Sequence, residues 1–99
     1  MNLEIIPHAM RDIGEAAKYY REQRPGLDYE FLDEVDAATK MIASDPLLFE
    51  QVSPGIRRFL LERFPFGIYY RVRGSQLIVL AVFHARRNPD SWRARTKSG

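Results

Sequence analysis

The stretch that decides the fold is Ile56-Arg57-Arg58-Phe59-Leu60-Leu61-Glu62-Arg63-Phe64-Pro65-Phe66-Gly67-Ile68-Tyr69-Tyr70-Arg71-Val72-Arg73-Gly74-Ser75-Gln76-Leu77-Ile78-Val79-Leu80-Ala81-Val82-Phe83-His84. Its side chains follow a period of two. Arg57, Phe59 and Leu61 point one way and Arg58, Leu60 and Glu62 the other; Phe66, Ile68, Tyr70 and Val72 then alternate with Gly67, Tyr69, Arg71 and Arg73. Successive side chains of a strand take opposite faces, so this pattern predicts two strands. Gly74-Ser75 has the residues of a tight hairpin turn. The run from Leu77 to Phe83 is apolar at every position and rich in β-branched residues, which suits a strand covered on both faces.

Toward the amino terminus the period lengthens. Leu27, Phe31, Val35, Ala38 and Ile42 share one helical face, and the pattern stops at Ser44-Asp45-Pro46, where proline disfavours helix at the residue before it. Before Pro25-Gly26, a second helical face is formed by Met10, Ile13, Ala16, Ala17 and Tyr20, with Pro7 suited to its first turn. Leu3 and Ile5, flanked by Glu4 and Ile6, predict an opening strand. A loop holding Pro46, Pro54 and Gly55 divides the helices from the strands. The expected architecture is α+β: an N-terminal strand, then an antiparallel helical hairpin packed on one face of a mostly antiparallel sheet that ends in a C-terminal three-strand meander. The other face and the loop after the last strand would then carry Arg71, Arg73, Arg86 and Arg87.

Ninety-nine residues, 45% of them hydrophobic, are enough for one core and too few for two, so a single domain over 1–99 is expected. No cysteine is present, which rules out disulfides, thiolate metal sites and cysteine nucleophiles together. The longest apolar run has seven residues where a spanning helix needs roughly 20, and the opening Met1-Asn2-Leu3-Glu4 has no basic stretch of the signal-peptide kind. These features predict a cytoplasmic protein with no membrane partner.

Net charge is +2, yet residues 1–50 hold 5 Lys and Arg against 11 Asp and Glu, while residues 51–99 hold 10 against 2. A split from −6 to +8 predicts that one side of the molecule meets an anionic partner, either nucleic acid or an acidic protein segment. Nine of the ten cations in the second half are arginine, whose planar fork suits specific carboxylate or phosphate contacts.

Nucleotide-binding and metalloprotease motifs are absent, and no cofactor is expected. Glu30, Asp33 and Glu34 share a helix face, but such acids are ordinarily the solvated side of an amphipathic helix, so no metal site is assigned. His84 ends an apolar strand ahead of two arginines. Set among Tyr69, Arg71 and Arg86 it could act on a ribose hydroxyl or a leaving oxygen; alternatively it closes the strand by hydrogen bonding. Phe64, Phe66, Tyr69 and Tyr70 fit core packing better than base stacking, and Trp92 is expected to fold back over one end of the core.

Two blocks carry a family resemblance. Arg63-Phe64-Pro65-Phe66-Gly67-Ile68-Tyr69-Tyr70, within the longer run from Arg58 to Val72, resembles the Arg-Phe-Pro-Phe-x-Ile-x-Tyr hairpin of the ParE/RelE toxins of type II toxin–antitoxin systems. Val82-Phe83-His84-Ala85-Arg86-Arg87-Asn88-Pro89-Asp90-Ser91-Trp92 resembles their Val-x-His-x-Arg-Arg-x-Pro-x-x-Trp ending. Ala9, Asp12, Ile13, Tyr19 and Tyr20 are placed as in that family. The resemblance implies a growth-inhibiting, plasmid-stabilising toxin neutralised by the acidic C-terminal segment of a cognate antitoxin, and meeting operator DNA only through that antitoxin. It also implies one of two targets. ParE-like members inhibit DNA gyrase without a recognised catalytic residue; RelE-like members are endoribonucleases that cut mRNA on the ribosome and typically have an arginine where this chain has Gly67. The ParE-like features are the closer match, with Arg57, Arg58, Arg71, Arg73, Arg86, Arg87, Trp92 and Arg93 expected to bind antitoxin or target. The nuclease alternative would rest on Tyr69, Arg71, His84 and Arg86.

Overall fold

Pro7 opens the first helix, α1 (Pro7–Gln23), because its fixed backbone angle suits a first turn and its missing N–H is not needed there. Gly26, at φ 96°, makes the left-handed break from which α2 (Leu27–Ser44) starts, a conformation costly for residues with a Cβ. The two helices form the expected hairpin. The structure, a computed structural model, describes residues 1–86.

Ahead of the hairpin lies β1 (Asn2–Ile5); after it come β2 (Gln51–Ser53), β3 (Ile56–Leu60), β4 (Phe66–Arg73) and β5 (Gln76–His84). They form one sheet in the order β1-β5-β4-β3-β2, antiparallel except for the parallel pair β1 and β5. Arg73 faces Gln76 across the β4–β5 turn, and Gly74 at φ 59° supplies the left-handed residue that a two-residue hairpin loop requires. The α+β architecture is therefore as the periodicities predict, with one addition. β2 extends the meander to four strands inside the segment expected to be a loop.

Both faces of the sheet are packed. On the helix side, Phe31, Val35 and Ile42 from α2 and Ala9 and Ala16 from α1 meet Ile68, Tyr70, Leu77, Val79 and Val82. Tyr70 lies fully buried there, and its hydroxyl donates to the Pro46 carbonyl oxygen at 2.6 Å. Burial, the largest influence, pushes the Tyr70 phenol above its usual range. On the far side, Ile56, Tyr69, Ile78, Leu80, Ala81 and Phe83 form a second cluster.

A bulge explains the uneven alternation along β5. Tyr69 faces Ala81 and Tyr70 faces Val79, so Leu80 is an extra residue. Leu80 and Ala81 therefore both turn to the far side, and Val82 returns to the helix side.

Four aromatic rings fasten the helices to the sheet. Tyr20 of α1, Phe31 of α2 and the pair Phe64 and Phe66 around the β3–β4 connection lie with ring centroids 4.8 to 6.1 Å apart, mostly edge to face. The same connection is held by carboxylates. Glu34 accepts the backbone N–H groups of Glu62 and Arg63 at 2.6 and 3.2 Å, and Glu30 pairs with both Arg63 and Arg24.

Where β1 ends, opposite Val79, the outer edge of β5 runs on with no further strand beside it among the described residues. Asp12 of α1 covers part of that edge, accepting the Val82 N–H at 3.1 Å in a buried setting. Replacing Asp12 by Ala should cost about 1–3 kcal/mol because a buried donor is left without its acceptor, whereas Asp12→Asn, which keeps an acceptor oxygen, should recover much of that. Phe31→Ala, which empties the centre of the ring cluster, should cost about 3–5 kcal/mol. Urea unfolding midpoints of the three variants test both statements.

Candidate functional site: the cationic side of the sheet

Strand alternation brings three arginines to one face. Arg58 on β3 faces Tyr69 on β4, and Arg71 and Arg73 continue along β4 opposite Ile78 and Gln76. Because Tyr69 and Ile78 belong to the far-side cluster, Arg58, Arg71 and Arg73 share that side. The result is a row of arginines beside the far-side cluster, whose own residues are buried; Arg71 and Arg73 lie on the face expected of them, and Arg58 joins them.

Gly67 has a specific part in this row. A Cβ at that position would lie 3.2 and 3.3 Å from Cγ and Cδ of Arg58 and 3.4 Å from Cδ2 of Leu60. The Arg58 stem thus lies across the glycine, in space a side chain would need. Beyond the stem, Nη2 of Arg58 is 3.1 Å from Oε2 of Glu50, and the guanidinium also bonds to the Tyr69 side chain. Partial burial works against the charge of Arg58, but Tyr69 and Glu50 together outweigh it and hold the group above its usual value.

His84 is not part of this row. It lies on the helix side, with its ring edge to face against Phe66 at 5.6 Å, and its Nδ1 accepts the Arg86 N–H at 3.2 Å. It lines a cleft of about 190 Å³ with Asp12, Glu15, Ala16, Tyr19, Phe66 and Val82. Tyr69 lies on the opposite face, 6.1 Å from Phe83, and Arg71 shares that face. The four side chains expected to act together if the chain cleaved RNA are thus divided: the sheet separates His84 from Tyr69 and Arg71, and Arg86 follows the last strand as an exposed residue.

Arg57 is also apart from the row. It faces Tyr70 on the helix side and donates from Nη1 to the Phe49 carbonyl oxygen at 2.7 Å, which binds the chain ahead of β2 to β3. Arg87, Trp92 and Arg93, and with them the expected cover over one end of the core, lie outside the described residues.

Two features have little signal in the sequence. Glu50, the partner of Arg58, is the last acid of the acidic half and has no periodicity to mark it. A groove of about 460 Å³ runs between α2 and the β3–β4 connection, with Ala37, Ala38, Met41 and Phe59 as apolar lining and Glu30, Asp33, Glu34, Glu62 and Arg63 as charged lining. It is larger than the His84 cleft but remote from the arginine row. Of its three helical acids, Glu30 and Glu34 are engaged in fastening the β3–β4 connection.

Comparison with known proteins gives a consistent result. The curated toxin ParE2 of Mycobacterium tuberculosis is 32% identical over 81 residues, covering 81% of this chain and 77% of that protein. Among solved structures, the chromosomal ParDE toxin–antitoxin system from P. aeruginosa superposes with a TM-score of 0.64 at 21% identity, covering 85% of this chain and 95% of that one. The isolated E. coli RelE toxin superposes with a TM-score of 0.60 at 14% identity over 99% and 98% of the two chains; at these identities both likenesses describe the fold. The model of the ParE toxin of the type II toxin–antitoxin system parDE matches residues 3–89, and the chain belongs to that family.

Proposed function

We propose that this chain arrests growth by inhibiting DNA gyrase, and that a cognate antitoxin neutralises it by seating an acidic C-terminal segment against the cationic side of the sheet. The observation that carries the antitoxin half is the row formed by Arg58, Arg71 and Arg73 beside the apolar residues Ile56, Ile78, Leu80 and Phe83. An acidic segment laid along this face would meet charge with charge at the arginines, over a cluster that is already packed.

The gyrase half is drawn from the family and from the division of side chains across the sheet. Cleavage of a phosphodiester needs a base or acid and a charge-stabilising group around one phosphate. Here the imidazole of His84 is on one face and Arg71 on the other, an arrangement that suits a binding surface better than a ribonuclease centre. The proposed setting is the cytoplasm, with operator DNA contacted through the antitoxin. Among the described residues no helix is long and apolar enough to cross a membrane.

Induction of the chain in a bacterial host lacking antitoxin should stop growth, and purified protein should inhibit gyrase supercoiling in a dose-dependent manner. Full supercoiling at excess protein, with cleavage of translated transcripts instead, would transfer the assignment to the ribosome. Reversing charge at Arg71 or Arg73 to Glu should weaken antitoxin binding about tenfold or more at each position, as loss of a charge-assisted contact does. Titration calorimetry with the antitoxin encoded in the adjacent reading frame measures this.

A further inference from the structure

Arg58 is held in an unusual way for an exposed ion pair. Its stem rests over Gly67, its guanidinium bonds to Tyr69, and its side chain is 25% exposed, whereas the Glu50 side chain that pairs with it is 65% exposed. Two of these supports belong to strands. Glu50 precedes β2 and is kept beside Arg58 by its backbone, because the Glu50 carbonyl oxygen accepts the Arg58 N–H at 2.9 Å. The side chain itself adds one contact, from Nη2 to Oε2 at 3.1 Å.

We infer that Arg58 is a seat for a carboxylate from a partner peptide, and that Glu50 occupies this seat in the free chain as an intramolecular stand-in. The guanidinium is already aimed, so a ligand would not bear the cost of ordering a long flexible side chain. Its present occupant is weakly held, since an exposed ion pair of this kind contributes little net stability and the carboxylate can swing into water without moving the backbone. An incoming carboxylate carried on a segment laid along the arginine row would be better shielded from water than Glu50, whose side chain is 65% exposed, and a shielded charge-assisted bond is the stronger one. Gly67 completes the seat, because a Cβ there would lie 3.2 Å from the Arg58 stem and require it to shift by a few tenths of an ångström. The ligand class is taken as a peptide carboxylate, the group that already fits the seat in the free chain. Arg71, which follows Tyr69 on the same face of the neighbouring strand β4, would meet a second acid farther along an extended peptide.

The inference deepens the antitoxin reading and rests on it for the identity of the natural partner, but its test is independent of toxicity. A short oligoglutamate peptide is titrated into the full chain and followed by amide chemical shifts, with oligoglutamine as the uncharged control. Glu50→Gln should bind oligoglutamate two- to fivefold more tightly than the parent, the range that matches release of one exposed ion pair. Arg58→Gln should bind more weakly than the parent, and adding Glu50→Gln to it should give no further gain. Glu22→Gln, which removes the same charge from the exposed surface of α1, should leave the affinity unchanged. An equal gain from Glu22→Gln, no gain from Glu50→Gln, or undiminished binding by Arg58→Gln would each overturn the inference and leave Glu50 as an ordinary surface partner. Urea midpoints confirm that each variant is folded. If the chain fails to arrest growth while the peptide titrations behave as described, the toxin assignment falls and the carboxylate seat stands.

Discussion

The packing of Tyr20, Phe31, Phe64 and Phe66 against one another is the contact on which the rest of the structure depends. The rings come from α1, from α2 and from the two ends of the Phe64-Pro65-Phe66 connection, so one cluster fixes both helices relative to the sheet. Edge-to-face aromatic contacts are directional as well as apolar, and directionality is what sets an angle between layers. Once Phe66 is fixed on the helix side, period-two alternation puts Gly67, Tyr69, Arg71 and Arg73 on the other. The cationic row is thus oriented by a hydrophobic contact on the opposite face.

The charge division in the sequence has two physical uses in the fold. Part of it is internal: Glu30 and Glu34 of the acidic half engage Arg63 and the backbone at Glu62 and Arg63, and Glu50 engages Arg58. Arg63 is the first-ranked influence on Glu30, followed by Arg24, and together they hold its carboxyl below the usual range. Among the other described residues, Asp33 borders the groove beside α2, and Arg71 and Arg73 lie on the far side of the sheet. A net charge of +2 conceals a molecule with two faces of opposite sign.

Much of this was legible in the sequence. The proline and glycine signals placed both helices with their ends, and alternation placed Arg71 and Arg73 on one face; that Arg58 joins them depends on the β3–β4 register, which the sequence does not show. β2 was not legible because three residues are too few to show a period, and its pairing with β3 is made by backbone groups that any sequence supplies. The face of His84 was hidden for a different reason. Strict alternation from Ile78 would put Leu80, Val82 and His84 on its side, near Tyr69 and Arg71. The extra residue at Leu80 reverses that parity, so Val82 and His84 turn toward the helices. In an all-apolar run no polar residue marks where such a shift occurs. Glu50 and the seat over Gly67 depend on a close approach between strands, which spacing along one strand cannot reveal.

The parallel pairing of β1 with β5 has a consequence for synthesis. The first strand of the chain has no partner until the last one is made, and Leu3 waits for Leu77 across more than seventy residues of translation. At about 5–20 residues per second, this is a delay of roughly 4–15 s in which the helical hairpin can form but the sheet cannot close. β4, which carries Arg71 and Arg73, can pair with β3 first and gains its second neighbour only when β5 is made. The face that holds these arginines is therefore enclosed on both sides only late in synthesis.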